Sequence, residues 1–238
     1  MITHGLVLAA GLGTRLRPLT LTVAKPALPV GGTPLIRRIL EWLGREGVTD
    51  AVLNLHHLPE TIAAVVGDGS DLGVRVRYSW EQPVVLGSAG GPRHALAIIG
   101  QSTFFIVNGD TLTDLALAPL AAAHMMSGAK VTLALTRNRE PERYGGVVMT
   151  EGGHVTGFVP PGTPAAGSYH FIGVQAAQAD VFAPLTDGEK ANLFTRGVYE
   201  RLIASAPGSV RGYGCDAAFW DIGTPEDLAR TNAAFTRA

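Results

Sequence analysis

The sequence predicts an α/β fold: a Rossmann-like, mainly parallel mixed sheet flanked by helices, with a smaller lobe beside it. Three observations carry that expectation. Short apolar runs alternate with helical patterns through residues 1–136, a glycine-rich loop follows the first run directly, and the remainder switches to short strands joined by Gly/Pro turns.

Leu6–Ala9 is the first apolar run, and Ala51–Leu55, Val74–Ser79, Phe104–Val107 and Val131–Thr136 follow. Between them lie helical patterns. Pro34–Glu46 is the clearest, with Thr33 placed to cap, Pro34 in the first turn, and Leu35, Ile36, Ile39, Leu40 and Leu43 on one face. Pro59–Val66, Gly91–Ile99 and Leu115–Ser127 fill the other gaps. In the second half Tyr144–Met149, His154–Val159, Tyr169–Val174, Val210–Tyr213 and Ala218–Asp221 read as strands, and Phe194–Ala206 and Pro225–Ala234 as helices. The stretch from Pro160 to Gly167 reads as a loop. One domain over 1–238 is expected, with a first half ending at 136 and a second half that extends the sheet and adds the lobe.

Composition narrows the partners. The 238 residues are 46% hydrophobic and 16% charged, so a sizeable core forms and wholesale disorder is excluded. A formal net charge of -1 argues against nucleic acid or an anionic membrane as the main partner. The only cysteine, Cys215, excludes an intrachain disulfide and a cysteine-based zinc site, and fits a reducing compartment. Met1–Ala10 has no basic leader region and reads as a buried strand, not a signal peptide. No apolar run approaches the ~20 residues that span a bilayer, so a cytoplasmic location is expected.

The densest segment is Leu8-Ala9-Ala10-Gly11-Leu12-Gly13-Thr14-Arg15-Leu16-Arg17-Pro18-Leu19-Thr20. A loop leaving the carboxyl end of a parallel strand is where α/β proteins bind ligands. Gly11 and Gly13 allow backbone N–H groups to cradle phosphate oxygens, and Arg15 adds a planar charged fork. Lys25, one of only three lysines, stands shortly after in Ala24-Lys25-Pro26. A dinucleotide fingerprint needs a third glycine where Leu16 stands and a helix where Pro18 stands. A Walker loop needs Gly-Lys followed by Ser or Thr. Both patterns fail.

Leu8 through Pro29 resembles the signature of the sugar nucleotidyltransferase family (nucleoside diphosphate sugar pyrophosphorylases). Lys25-Pro26 falls at the family's lysine–proline position, while Ala24 replaces a usual proline and is expected to loosen the loop slightly. The resemblance implies the family's fold. It also implies that Leu8, Ala10, Gly11, Gly13, Thr14 and Arg15 contact the nucleotide and that Lys25 stabilises charge at the reacting phosphate, making Arg15 and Lys25 the catalytic candidates.

Two aspartates extend the match. Asp110 ends the apolar run Phe104–Val107 in an Asn-Gly-Asp turn, and Asp221 lies in Trp220-Asp221-Ile222-Gly223-Thr224-Pro225, with Thr224 placed to cap the last helix. Singly, each such aspartate is more often a turn or cap residue than a ligand. Together they resemble the family's two metal-binding aspartates, which implies Mg²⁺ as cofactor. Leu86-Gly87-Ser88 resembles the family's base-contacting stretch, although Ser88 also reads as a plain helix N-cap. Asn108, Arg143, Gly145 and His170 match sugar-phosphate positions, with His170 also readable as an ordinary strand-face histidine. His56, His57 and His124 need only surface or cap roles.

One departure is plain: many relatives carry a Glu-Lys pair after the strand ending near Phe158, where this chain reads Val159-Pro160-Pro161. The chain resembles short single-module members of the muramic-acid 1-phosphate uridylyltransferase or mannose-1-phosphate guanylyltransferase type. The match runs from about Leu6 to Leu228 and is expected to leave no room for the appended modules of longer relatives. The implied activity is nucleotidyl transfer from a nucleoside triphosphate to a sugar 1-phosphate. A nicotinamide-dependent oxidoreductase and a non-catalytic nucleotide-sugar binding protein are the alternatives.

Overall fold

The computed structural model describes residues 1–100 and 102–236. Its elements in chain order are β1 (His4–Leu8), β2 (Pro29–Val30), β3 (Thr33–Pro34), α1 (Leu35–Arg45), β4 (Asp50–Leu55), α2 (Pro59–Val66), β5 (Arg75–Trp80) and α3 (Gly87–Ile99). There follow β6 (Thr103–Asn108), β7 (Thr111–Thr113), α4 (Leu117–Ser127), β8 (Val131–Arg137), β9 (Gly146–Met149) and β10 (Val155–Val159). The chain closes with β11 (Tyr169–Gln178), α5 (Val198–Ser205), β12 (Val210–Gly214), β13 (Phe219–Asp221) and α6 (Pro225–Thr236).

Nine strands make one mixed sheet in the order β10-β9-β11-β6-β1-β4-β5, with β8 pairing β11 and β12. β1 lies between β4 and β6 and is parallel to both, and β5 continues the parallel set. The antiparallel β11 then carries the sheet into the second half by pairing β6, β8 and β9. Successive residues of β1 enter opposite cores: Val7 packs with Leu35, Ile36 and Leu40 of α1, and Leu6 with Ala95 and Leu96 of α3. Both faces being covered, the central strands read as continuous apolar runs.

Several local expectations are corrected. Thr33 does not cap α1. It pairs with Val30 in a two-strand hairpin, and the free N–H of Leu35 donates to Leu28 O at 2.9 Å instead. α3 begins at Gly87, not Gly91, and Gly91 lies inside it, so close to Glu81 Oε1 that a Cβ there would come within 2.5 Å of it. Ser88 therefore sits inside the first turn, with Leu86 at the cap. β11 runs on to Gln178 past Gly173, whose φ of +83° lies at a register shift. His124 is buried in α4, bonded through Nδ1 to Thr132 Oγ1 at 2.9 Å, and is no surface residue.

Candidate active site

The glycine loop leaves β1 without entering an α-helix. Gly13 takes a left-handed conformation (φ +62°), a short 3-10 turn covers Thr14–Leu16, and fully buried Leu16 anchors it. A Cβ on Gly13 would meet Thr20 Cγ2 at 2.9 Å, so both conformation and space demand glycine there. A Cβ on Gly11 would touch nothing, which leaves its own backbone open toward a ligand. Buried Thr20 donates to Gly13 O at 2.8 Å, and His57 Nε2 bonds Thr20 O at 2.8 Å. Ala24 does not slacken the segment: its N–H, which a proline would lack, donates to Thr61 Oγ1 at 3.0 Å.

A cavity of about 410 Å³ opens over this loop. Leu8, Ala10, Gly11, Gly13, Thr14, Arg15 and Lys25 line it, together with Asn108, Asp110 and Gly223. Gly109 brings the second strand end close: its N–H donates to Leu8 O at 3.0 Å, and a Cβ would meet that oxygen at 2.5 Å. Asp110 consequently faces Lys25, with Nζ to Oδ2 at 2.7 Å. Lys25 is only 9% exposed, and its carboxylate partner offsets the cost of burying the ammonium.

The two aspartates meet through a ribbon the sequence did not reveal. β7 pairs antiparallel with β13 so that Asp221 lies opposite Thr111, and Ile222 N donates to Asp110 O at 3.0 Å. Burial pushes the Asp221 carboxyl above the ordinary range and the Asp110 charge adds to it, while Lys25 and Arg15 pull the other way. The Arg15 guanidinium lies over Gly223, where a Cβ would come within 3.0 Å of Nη1. Asp110, Lys25 and Arg15 thus line one cavity, while Asp221 lies beside it, two residues before the lining Gly223 and within the electrostatic reach of all three.

At the opposite end Gly87 (φ +80°) and Ser88 line the cavity, whereas Leu86 is buried and its neighbour Val85 takes the lining place. Ser88 Oγ accepts the Leu193 N–H at 3.0 Å, and Ala191 O accepts the Ala89 N–H at 2.9 Å, so residues 191–193 hold this turn from outside. Sequence reasoning passed over the network beneath. Fully buried Glu81 accepts from Asn54 Nδ2 and from Leu86 N, each at 2.7 Å, and Asn54 Oδ1 accepts from Ala9 N at 2.7 Å. One carboxylate and one amide therefore tie the turn at Leu86 to the glycine loop's root. Glu81→Ala leaves two buried donors unpaired, and the expected loss, about 1–3 kcal/mol per donor, is measurable by urea unfolding.

The model of the family described as nucleotidyl transferase matches residues 4–238. The chain belongs to that family. It is 34% identical to the mannose-1-phosphate guanylyltransferase of Mycobacterium tuberculosis over 247 residues, an alignment covering 100% of this chain and 66% of that protein. The mannose-1-phosphate guanyltransferase of Kluyveromyces lactis is 40% identical over 147 residues, covering 60% of this chain and 40% of the relative. The chain therefore spans only part of the length of such relatives. Two solved structures share the fold. HddC from Yersinia pseudotuberculosis complexed with GMP-PN superposes at a TM-score of 0.84 with 23% identity, covering 98% of this chain and 100% of that one. UDP-glucose pyrophosphorylase complexed with UDP-glucose gives 0.80 and 19%, covering 100% and 99%. No described helix of this family member is long and apolar enough to cross a membrane.

The residues matched to sugar-phosphate positions divide into two groups. Asn108 stands in the first cavity, while His170 lines a second, of about 470 Å³, with Tyr144, Phe219 and Trp220. The His170 ring lies 4.2 Å from Tyr144 and 4.9 Å from Phe219, centroid to centroid. Gly145 packs against β10, where a Cβ would meet Val159 O at 2.9 Å. Arg143 is engaged by Asp227, Nη2 to Oδ1 at 2.5 Å. Just before Val159-Pro160-Pro161, Phe158 stacks edge-on against Phe194 at 5.0 Å.

Burial lowers the His170 pKa to about 4, so the ring is neutral at pH 7 and brings no positive charge to a sugar phosphate. With the folded-state value depressed from 6.5, the unfolded chain binds the extra proton across that window. The His170 contribution to stability is complete above pH 6.5 and is lost as pH falls toward 4, by at most about 1.4 kcal/mol per pH unit. His170→Gln is expected to flatten the urea-stability profile between pH 4 and 6.5 relative to wild type, leaving the profile above pH 7 parallel to it.

Proposed function

We propose that this chain transfers a nucleotidyl group from a nucleoside triphosphate to a sugar 1-phosphate, releasing pyrophosphate. The single observation that carries the reading is the convergence of Asp110, Lys25 and Arg15 on the cavity above the glycine loop, with Asp221 beside it and electrostatically coupled to all three. Such a set suits a reaction between two anions. It has little use in hydride transfer, and the strand-to-helix phosphate turn of a dinucleotide site is absent from the described residues.

The triphosphate lies along Gly11–Arg15, where open backbone N–H groups and the Arg15 fork meet phosphate oxygens. Lys25 Nζ, fixed by Asp110, stands beside the reacting phosphate and offsets charge that grows there during attack. The base end reaches the Gly87–Ser88 turn. No side chain need remove a proton, because the second pKa of a phosphate monoester is near ~6 and the attacking oxygen is already largely anionic. The residues' task is to hold two anions in line and lower their repulsion.

The paired carboxylates fit a divalent ion of the Mg²⁺ type. Magnesium takes one or two protein carboxylates and completes its shell with water and phosphate oxygens. Among the described residues no third acidic, His or Cys side chain completes a cluster, and the repulsion felt by Asp221 is what a cation would relieve. A bound ion supplies charge neutralisation between the two phosphates.

The likeness, over all of this chain, to part of a mannose-1-phosphate guanylyltransferase favours GTP and a hexose 1-phosphate as substrates. A pyrophosphate-release screen of four nucleoside triphosphates against a panel of sugar 1-phosphates with Mg²⁺ tests the reading. Release confined to one nucleotide with a hexose 1-phosphate is expected. Tight nucleotide-sugar binding without release from any pair would overturn it in favour of a non-catalytic binding protein.

A further inference from the structure

We infer that Asp227, outside both cavities, is a positioning residue that couples the sugar-side loop at Arg143–Gly145 to the turn carrying Asp221. This rests on the reading of the site as one for sugar-phosphate nucleotidyl transfer.

The geometry is a closed ring of contacts. Asp227 is 4% exposed and stands in the first turn of α6. Its Oδ2 accepts the Thr224 N–H at 3.1 Å, and its own N–H donates to Thr224 Oγ1 at 3.2 Å, a reciprocal cap that fixes the turn Asp221–Thr224 on the helix. Its Oδ1 faces the other way. It accepts from Arg143 Nη2 at 2.5 Å and from Arg230 Nη2 at 2.9 Å. The Arg143 guanidinium lies 4.8 Å over the Tyr144 ring. Tyr144 in turn packs on His170 and, at 6.1 Å, on Phe219 of β13, two residues before Asp221. From Asp221 the chain of contacts passes through Thr224, Asp227, Arg143, Tyr144 and Phe219 back to Asp221.

A helix cap needs no arginine partner, and a surface arginine needs no buried carboxylate. Joining them makes the sugar-side loop and the aspartate turn one body. Arg143 then serves by its place in the ring and not as a free phosphate ligand, since Asp227 and, at 3.7 Å, Glu140 already hold its guanidinium.

Asp227→Asn keeps side-chain volume and the acceptor for the Thr224 N–H but removes the charge that holds Arg143. It is expected to raise the KM for sugar 1-phosphate and lower kcat, together by roughly 10–100-fold in kcat/KM, the scale of a small misplacement of reacting groups. The KM for the nucleoside triphosphate should stay within about twofold, because none of the ring's side chains lines the cavity over the glycine loop. Arg143→Met should produce the same split, and the double variant should be no worse than either single one. Asp227→Glu, which keeps charge and cap, should recover part of the loss. Hydrogen exchange gives a readout without activity: in Asp227→Asn, peptides over 142–146 and 219–225 should both lose protection while the peptide over 8–17 does not.

A large sugar-phosphate defect in Arg143→Met with none in Asp227→Asn would make Arg143 a direct ligand and overturn the inference. So would faster exchange at 219–225 alone, or equal loss for both substrates. Absence of turnover in the wild-type protein sinks the functional reading by itself, and the exchange experiment still decides the coupling.

Discussion

Asp110→Asn and Asp221→Asn are each expected to lower kcat by at least roughly 10²–10³-fold, the size of removing one preorganised charge from a reacting centre. Asn keeps the shape of Asp and loses the charge, so each change acts on electrostatics without leaving a void. Backbone contacts hold the two turns together, since Ile222 N bonds Asp110 O and β7 pairs β13. The fold therefore survives either substitution. Because both side chains address one charge, the double variant should be little worse than the worse single one. Asp221→Asn carries a second signature. Its carboxyl is held unfavourably by burial and by Asp110, so without divalent ions the variant should melt above wild type, and added Mg²⁺ should stabilise it less than wild type. Near wild-type turnover in Asp221→Asn at saturating Mg²⁺ would defeat the shared site.

The parallel half of the sheet was legible because β1, β4 and β6 are buried on both faces and read as apolar runs, while the edge strand β5 mixes buried and exposed residues, with turn residues between them. The glycine loop was legible for a related reason: a polar, glycine-bearing segment directly after a buried strand has few uses other than ligand binding. What stayed hidden was non-local. β7 is three residues long, and its partner β13 lies beyond two-fifths of the chain, so no periodicity announces the ribbon that joins Asp110 to Asp221. Glu81 and Asn54 are single polar residues at strand ends. Their only signal was an acid and an amide where the sheet should be dry, and that signal deserved a partner search. His170 could be placed on its strand but not given a charge state, because burial among Tyr144 and Phe219 is decided by chains distant in sequence. Nor did any local signal show that Arg143 pairs with Asp227, 84 residues further along the chain.

Lys25→Ala and Arg15→Ala are expected to fail on the triphosphate side, each losing roughly 10²–10³-fold in turnover. The structure separates how they fail. Lys25 is nearly buried and its ammonium is held by Asp110, so its position is set before any substrate arrives. Its loss should fall mainly on kcat, because the charge it offsets grows during attack. Lys25→Ala also leaves Asp110 without its partner, so Lys25→Ala with Asp110→Asn should be far from additive. Arg15 is exposed and lies over Gly223, bridging the glycine loop and the aspartate turn. Its exposed side chain is not held in place in advance, so its loss is expected to raise the KM for the nucleotide as well as lower kcat. Arg15→Lys should recover only part of this, since a point charge cannot reproduce a fork that spans two oxygens. Steady-state kinetics with each substrate varied in turn would read the difference. A Lys25→Ala enzyme that kept its kcat and lost affinity only for sugar 1-phosphate would move this lysine to the other substrate and leave the reacting phosphate to Arg15.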